Sequence, residues 1–496
     1  MQPSLTSRVQ SGVAWNTISV SFSYVLGLVR SVIMARLLLA EDFGLFGMAL
    51  TVVAGLGALT SIGLDISVIK TRFKSDLELA KHLDTLWTVD LIRRVLIALL
   101  MIVLAHPAAK FYGEVRVYQL LLVLSLLPVV QGFQNIGLLM HRKEVNFKMI
   151  VWLELLTNLL TAITTIALVL WTHNVWALVF SQLVSALIGV ALSYLFHPYR
   201  PRPRLDNNSL RLALEFGKYA FLLGVVGYVM SMADNVLIGK LYSAAILGTY
   251  VIAYNLAVLP LHGVGMAIVN VTFPAYAEIA GGKITGSELK RLERAFVRVF
   301  ATSSTLLTLT TALLFLLGGE IVVFLYGSKW AAAGIILRIL ALLVFFKGHA
   351  ILVSPLIVSM RGIAPDAKIK LFEAAIFLVL LYPLTSRYGA VGAAWAGAVA
   401  FLVVMINRLR VAASLLPNIS GMLVRTVIAA AVACALGVTG GMLAIATIAS
   451  VLGRLLIGSS AIASVVASVM VILSPELRTE LRGLFSSTQQ IQNEAR

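Results

Sequence analysis

The chain has 496 residues, 60% of them hydrophobic and 12% charged, with a formal net charge of +17 and a mean hydropathy of +0.96. Soluble domains carry about 25% charged residues, so a soluble globular protein is excluded. The one cysteine, Cys434, excludes a disulfide framework and a thiolate metal site.

Apolar windows of about 20 residues, the length that crosses about 30 Å of hydrocarbon, recur along the chain. Spans are predicted near 12–36, 43–69, 86–109, 117–140, 149–171, 175–196, 214–239, 245–273, 297–325, 331–360, 369–386, 390–413, 421–439 and 443–473. The expected fold is therefore an all-α polytopic membrane protein with about 14 transmembrane helices. The first span is not a cleavable signal, because it is long, carries Arg30 and lacks a small-residue cleavage site.

With the N-terminus in the cytoplasm and fourteen alternating spans, 27 of the 39 Lys and Arg residues fall on the cytoplasmic side and 8 on the other. This bias follows the positive-inside rule and predicts both termini in the cytoplasm. The basic balance is thus a signature of topology, and no nucleic-acid partner is expected.

A duplication organises the sequence. At an offset of 204, Ala35-Arg36-Leu37 falls on Gly239-Lys240-Leu241, Ala40 on Ala244, Gly44 on Gly248 and Phe46 on Tyr250. Further on the offset drifts. Phe111-Tyr112-Gly113 matches Leu325-Tyr326-Gly327, Val130-Gln131-Gly132 matches Phe346-Lys347-Gly348, and Trp152-Leu153-Glu154 resembles Leu371-Phe372-Glu373. Between the halves lies HPYRPRPRLDNNSLR (His197–Arg211), a loop by composition. The expected division is an N-terminal six-helix lobe (1–197), a basic cytoplasmic linker (198–211), a C-terminal six-helix lobe (212–415), helices 13 and 14 (416–474) and a cytoplasmic tail (475–496). Six is even, so the lobes are expected to be pseudo-symmetric about an axis along the membrane normal. Arg291, Arg294 and Arg298 recur at helical spacing in Glu278–Arg298, which predicts a helix lying at the membrane surface.

The motifs ARLLLAEDFGLFG (Ala35–Gly47), FYGE (Phe111–Glu114), HRKEVNFK (His141–Lys148), the ADNVLIGKL…LGTYVIAYNLAVLP…FPAYAEI block (Ala233–Ile279) and LYGSKW (Leu325–Trp330) occur in that order. Together they resemble the polysaccharide-transporter branch of the multidrug/oligosaccharidyl-lipid/polysaccharide exporter superfamily, which includes Wzx-type oligosaccharide flippases. The resemblance runs from the first span to about the twelfth. It implies paired lobes around a central cavity. It also implies translocation of undecaprenyl-diphosphate-linked oligosaccharide repeat units, of O-antigen or exopolysaccharide, across the bacterial inner membrane by alternating access.

Charges within spans are the candidate site residues, since each costs about 2.5–3.5 kcal/mol at mid-membrane and tends to face a cavity or a partner. Arg30 and its repeat-mate Asp234 carry opposite charges. They are expected to pair across the axis when the outer side is closed, opening then freeing Arg30 for a diphosphate through charge-assisted forks. A static pair, or an Arg30 that snorkels outward, is the structural alternative. Lys347 and its mate Gln131 are expected to face the cavity, and His349 to be an interior hydrogen-bonded histidine or a proton carrier. Arg93 and Arg94 complete the candidate diphosphate set, although Asp90, one turn away, offers both a local partner. Asp234, Asp65, Asp90, Glu154 and Glu373 are the candidates for gating or ion coupling. For Asp65, Glu154 and Glu373, near the inner span ends, a solvated or locally paired acid is the simpler reading. The basic linker suits anionic-lipid headgroups.

No G-x-x-x-x-G-K-[ST] loop or H-E-x-x-H pair is present, so no cofactor, no metal and no enzymatic activity are expected. Energy would come from proton or sodium coupling, membrane potential or removal of product. The implied partners are the polyprenyl-diphosphate-linked glycan, membrane lipids, and a polysaccharide polymerase with its chain-length regulator. The rival readings are a lipid II flippase or multidrug exporter of the same superfamily and, more remotely, a membrane polymerase or ligase, for which the short outer loops leave no room.

Overall fold

In hydrocarbon every backbone polar group must be satisfied within its own segment, and this sequence meets that demand with helices. The structure, a computed structural model, describes residues 22–60, 68, 73, 75–143, 147–261, 266–280 and 286–474. Asp65, the start of the first expected span and the tail 475–496 lie outside the described residues. Two compact units are present, Met1–Val251 and Ile252–Arg496.

In the first unit, α1 covers residues 22–37 and α2 Ala40–Leu59. Helix α3 (Asp76–Tyr112) is capped by Ser75, whose Oγ accepts from the Glu78 amide, and its 37 residues extend about 55 Å. The fourth expected span is broken. Helices α4 (Arg116–Leu124) and α5 (Leu126–Gly132) meet at Ser125, because Pro128 has no N–H for the Leu124 carbonyl. A short α6 (Leu138–Lys143) follows. Helices α7 (Phe147–Thr172) and α8 (Trp176–Phe196) form a hairpin. Helix α9 (Asn207–Leu241) is capped by Asp206, and α10 (Ala244–Pro260) begins after a turn at Tyr242 and Ser243. One end of this unit carries the turns at 38–39, 113–115, 173–175 and 242–243, and is called the hairpin end. The opposite end carries residues 197–206 and is called the linker end.

The second unit continues with α11 (Met266–Ala280), α12 (Gly286–Tyr326) and a 3-10 turn (Ser328–Trp330). Helix α13 (Ala331–Arg361) and the long α14 (Ile363–Leu415) follow, then α15 (Ser420–Ile445) and α16 (Val451–Leu473). Helix α14 is two helices in one run. Gly389 has φ 63° and ψ −143°, a backbone state that glycine adopts at little cost, and the chain reverses there between the eleventh and twelfth expected spans. Its core has two parts. Tyr276, Phe296, Phe300, Leu356, Val404 and Leu416 knit α11 to α14, while Ala312, Leu317, Ala430, Ile462 and Val466 fix α15 and α16 to α12.

The all-helical polytopic fold is as expected. Among the described residues, eight helices are long and apolar enough to cross a membrane, with Arg116–Gly132 and Ala244–Pro260 as shorter apolar helices. The expectation of a separate surface helix over Glu278–Arg298 is corrected. Arg291, Arg294 and Arg298 lie on the opening turns of α12, which runs unbroken for 41 residues, because no proline and no glycine interrupts it between Gly286 and Gly318.

Candidate functional site

Helix α3 carries Asp90, Arg93 and Arg94 on one face, at the i, i+3, i+4 spacing that lets side chains meet. The Asp90 carboxylate is shared. Its Oδ1 accepts from Arg93 Nη2 at 2.6 Å and Nε at 3.0 Å, and its Oδ2 from Arg94 Nε at 2.7 Å. Arg94 Nη1 also donates to Gln131 Oε1 of α5 at 2.8 Å, and Arg93 Nη1 reaches the Thr60 carbonyl at the end of α2 at 3.4 Å. Four of the residues expected at the site, Asp90, Arg93, Arg94 and Gln131, are therefore brought together from two helices. Two guanidiniums facing one carboxylate leave a positive balance, and the side chains of all three charged residues are about one-fifth exposed.

Arg30 lies in α1, half-buried, and its Nε has no hydrogen-bond partner among the described residues. Asp234 of α9 is buried and accepts a 2.7 Å hydrogen bond from Tyr250 Oη of α10. The α9–α10 hairpin explains this choice. Asp234 lies seven residues before Leu241 and Tyr250 six after Ala244, so at 1.5 Å per residue both sit at about the same depth. The duplication held a signal for it, since Tyr replaces Phe46 at the repeat where Asp replaces Arg30.

In the second unit Lys347 of α13 is half-buried, with Nζ 5.0 Å from the centre of the Phe401 ring, a cation–π geometry. Glu373 of α14 is buried, and the charges of Arg408, Lys347 and Lys370 all act on it. His349 is fully buried. Its Nδ1 lies 2.8 Å from the Phe345 carbonyl and its ring packs on Phe345 and Phe300, the interior hydrogen-bonded arrangement. Glu154 of α7 is exposed and far from full burial.

Two groups went unseen in the sequence. Arg408, inside the twelfth expected span and not among the candidate site residues, is buried in α14, where it pairs with Asp366 at 3.2 Å and donates to the Ala350 carbonyl at 3.1 Å. Ser354 Oγ donates a 3.0 Å bond to the same oxygen, Asp366 Oδ1, and Lys370 Nζ approaches the other, Oδ2, at 3.3 Å. At the linker end of the first unit, the basic linker is a pinned strap. Asn135 Nδ2 donates to the carbonyls of His197 and Tyr199, and Tyr199 Oη donates to Asp84 at 2.6 Å. The amides of Arg202, Arg204 and Asp206 then donate to Asp84, Thr88 and Thr85 along α3. Burial, with the Asp84 carboxylate second, holds the Tyr199 phenol above its ordinary range.

A family described as "Polysaccharide biosynthesis protein" matches residues 33–335, more than half of the chain and all of the first unit from the end of α1 onward. The chain belongs to that family. Its relatives include the succinoglycan biosynthesis transport protein ExoT of Rhizobium meliloti, 26% identical over 410 residues, which are 82% of this chain and 79% of the relative. The lipopolysaccharide biosynthesis protein WzxC of Escherichia coli is 23% identical over 395 residues, covering 78% and 77% of the two chains. Among solved structures, the lipid II flippase MurJ in an inward closed conformation matches with a TM-score of 0.68 at 17% identity, over 92% of this chain and 98% of its own. An inward-facing multidrug resistance transporter of the MATE family matches at 0.61 and 15% identity, over 80% and 96%. These two likenesses show the fold that this member of the polysaccharide biosynthesis family adopts.

Proposed function

We propose that the protein is a flippase that moves polyprenyl-diphosphate-linked oligosaccharide repeat units across a bacterial inner membrane by alternating access, without making or breaking a covalent bond. The linker end faces the cytoplasm in this reading, with both termini on the same side, as the distribution of Lys and Arg predicts. The first six spans and the next six act as the two repeats, and helices 13 and 14 as an appendage. Family membership supports the substrate class, and so do the names of ExoT and WzxC.

The observation that carries the reading is the pair of guanidiniums sharing one carboxylate. Asp90 ties Arg93 and Arg94 to one carboxylate, and Gln131 accepts from the second fork. A diphosphate supplies two charges where Asp90 supplies one, so it competes for the forks by charge-assisted, bidentate hydrogen bonds. The polyprenyl tail stays in lipid while the headgroup crosses. Arg30 and Lys347 serve as further cations along the passage, and Asp234 and Glu373 are the acids for proton or sodium coupling.

The test is transport in proteoliposomes loaded with undecaprenyl-diphosphate oligosaccharide, scored by glycan reaching the far leaflet. Arg93→Ala/Arg94→Ala protein should lose transport by about 100-fold or more. Equal transport by this variant would end the reading. Lipid II and cationic drugs in the same assay separate the lipid II flippase and drug-exporter alternatives.

A further inference from the structure

Gly44 and Gly248 occupy the same position in the two halves of the repeat, 204 residues apart, and so do Ala40 and Ala244. At the hairpin end of the first unit these four residues meet crosswise. A Cβ on Gly44 would fall deep inside van der Waals contact with the Ala244 carbonyl oxygen, and a Cβ on Gly248 equally deep against the Ala40 carbonyl oxygen. Each glycine is the fifth residue of its helix, and each carbonyl belongs to the first residue of the other helix. The contact is thus its own image under a local two-fold axis. Only a hydrogen on each Cα fits there, aimed at a carbonyl in the geometry of a Cα–H···O contact.

We propose that this reciprocal crossing is the seal of the passage at the hairpin end, that it parts and re-forms in each transport cycle, and that Gly44 and Gly248 are its positioning residues. The inference rests on the proposed function, since a seal matters to a protein that alternates.

The chemistry of the contact suits reversal. Helix pairs inside the second unit interlock Leu, Ile, Val and Met side chains, which cannot part without repacking. The glycine crossing is backbone against backbone at Gly44 and Gly248, and next to it a Cβ on Gly47 would meet the Leu247 and Val251 side chains in ordinary van der Waals contact. A polar link between α9 and α3 at this end joins backbone to a single side chain. Lys240 Nζ donates to the Phe111 carbonyl at 2.6 Å and sits 4.8 Å over the Phe111 ring, and water replaces such a bond readily. Tyr250, two residues beyond Gly248, holds Asp234. A change in charge at that acid is thereby felt within one turn of the seal.

The experiment places spin labels on Leu39→Cys and Ser243→Cys, exposed repeat-mates in the turns flanking the crossing, in a Cys434→Ala background reconstituted in liposomes. Distance distributions are measured by pulsed electron paramagnetic resonance. The parent should show a dominant short distance, with a longer one gaining population when undecaprenyl-diphosphate oligosaccharide is added. Gly44→Ala and Gly248→Ala should each cut the short population by about tenfold or more. Gly27→Ala and Gly421→Ala, whose added Cβ meets nothing within 4 Å, should leave it unchanged. A short distance that stays dominant in both Gly44→Ala and Gly248→Ala overturns the inference. If neither variant reaches the membrane, a parent distance that never changes on adding the glycan lipid or lipid II overturns it instead. A distance that shifts as described while no glycan lipid is transported would leave the seal standing and remove the proposed function.

Discussion

Tyr250 Oη donates a 2.7 Å hydrogen bond to the carboxylate of Asp234, with both side chains buried at 1% and 5% exposure. The acid that the duplication sets opposite Arg30 is therefore held by the next helix of its own hairpin. Hydrogen bonds to charged groups contribute about 1.5–3 kcal/mol. Tyr250→Phe should lower the stability of the protein by that order and slow transport by about tenfold, as read by thermal unfolding in detergent and by flux. Unchanged flux would mean that Asp234 acts without its tyrosine.

Asp90 holds two cations in place and also neutralises one of them. Removing its charge has opposite effects on the two steps that follow. Asp90→Asn should tighten binding of undecaprenyl diphosphate about tenfold and steepen its dependence on salt, while release and turnover slow. Arg94→Lys should weaken binding, since a point charge cannot fork to a diphosphate and to Gln131 together. Titration with the lipid at two ionic strengths checks both.

Arg408 and Asp366 form an ion pair that is almost fully buried, 3.2 Å apart. Removing one partner of such a pair leaves a stranded charge and costs about 3–5 kcal/mol. Asp366→Asn and Arg408→Gln should each lower the melting temperature strongly. The double variant should recover part of the loss, and a double-mutant cycle by thermal unfolding measures it.

The strap along α3 depends on Asp84, which accepts from both Tyr199 and Arg202. Asp84→Ala should release it. Trypsin offers a direct readout, because Arg200 and Arg202 precede proline and resist cleavage, whereas the Arg204–Leu205 bond does not. The variant should be nicked there several-fold faster than the parent, and equal rates would show that Asn135 and the threonines suffice.

Much of this architecture was legible in the residues themselves. Hydropathy marked the helices, and the Ala40-to-Gly44 pattern repeated at Ala244 to Gly248 marked the duplication. What a repeat cannot reveal is whether mates touch, because periodicity fixes positions within each copy and not distances between copies. The crossing of the two glycines was hidden for that reason. Arg408 was hidden for another. It lies near the inner end of the twelfth expected span, where a cation is ordinary, and its partner Asp366 comes from before the eleventh, a contact that hydropathy does not reveal. The cluster of Asp90, Arg93 and Arg94 was half legible. Its helical spacing foretold the local pairing, while the approach of Gln131 from α5 depended on where Pro128 breaks the fourth span.

The most direct test of the account is the fate of the glycan lipid in cells that lack this protein. With the gene deleted and polymerisation blocked, undecaprenyl-diphosphate-linked repeat units should accumulate on the cytoplasmic face, out of reach of a membrane-impermeant glycan label added from outside. Repeat units labelled from outside at the parental rate would contradict it.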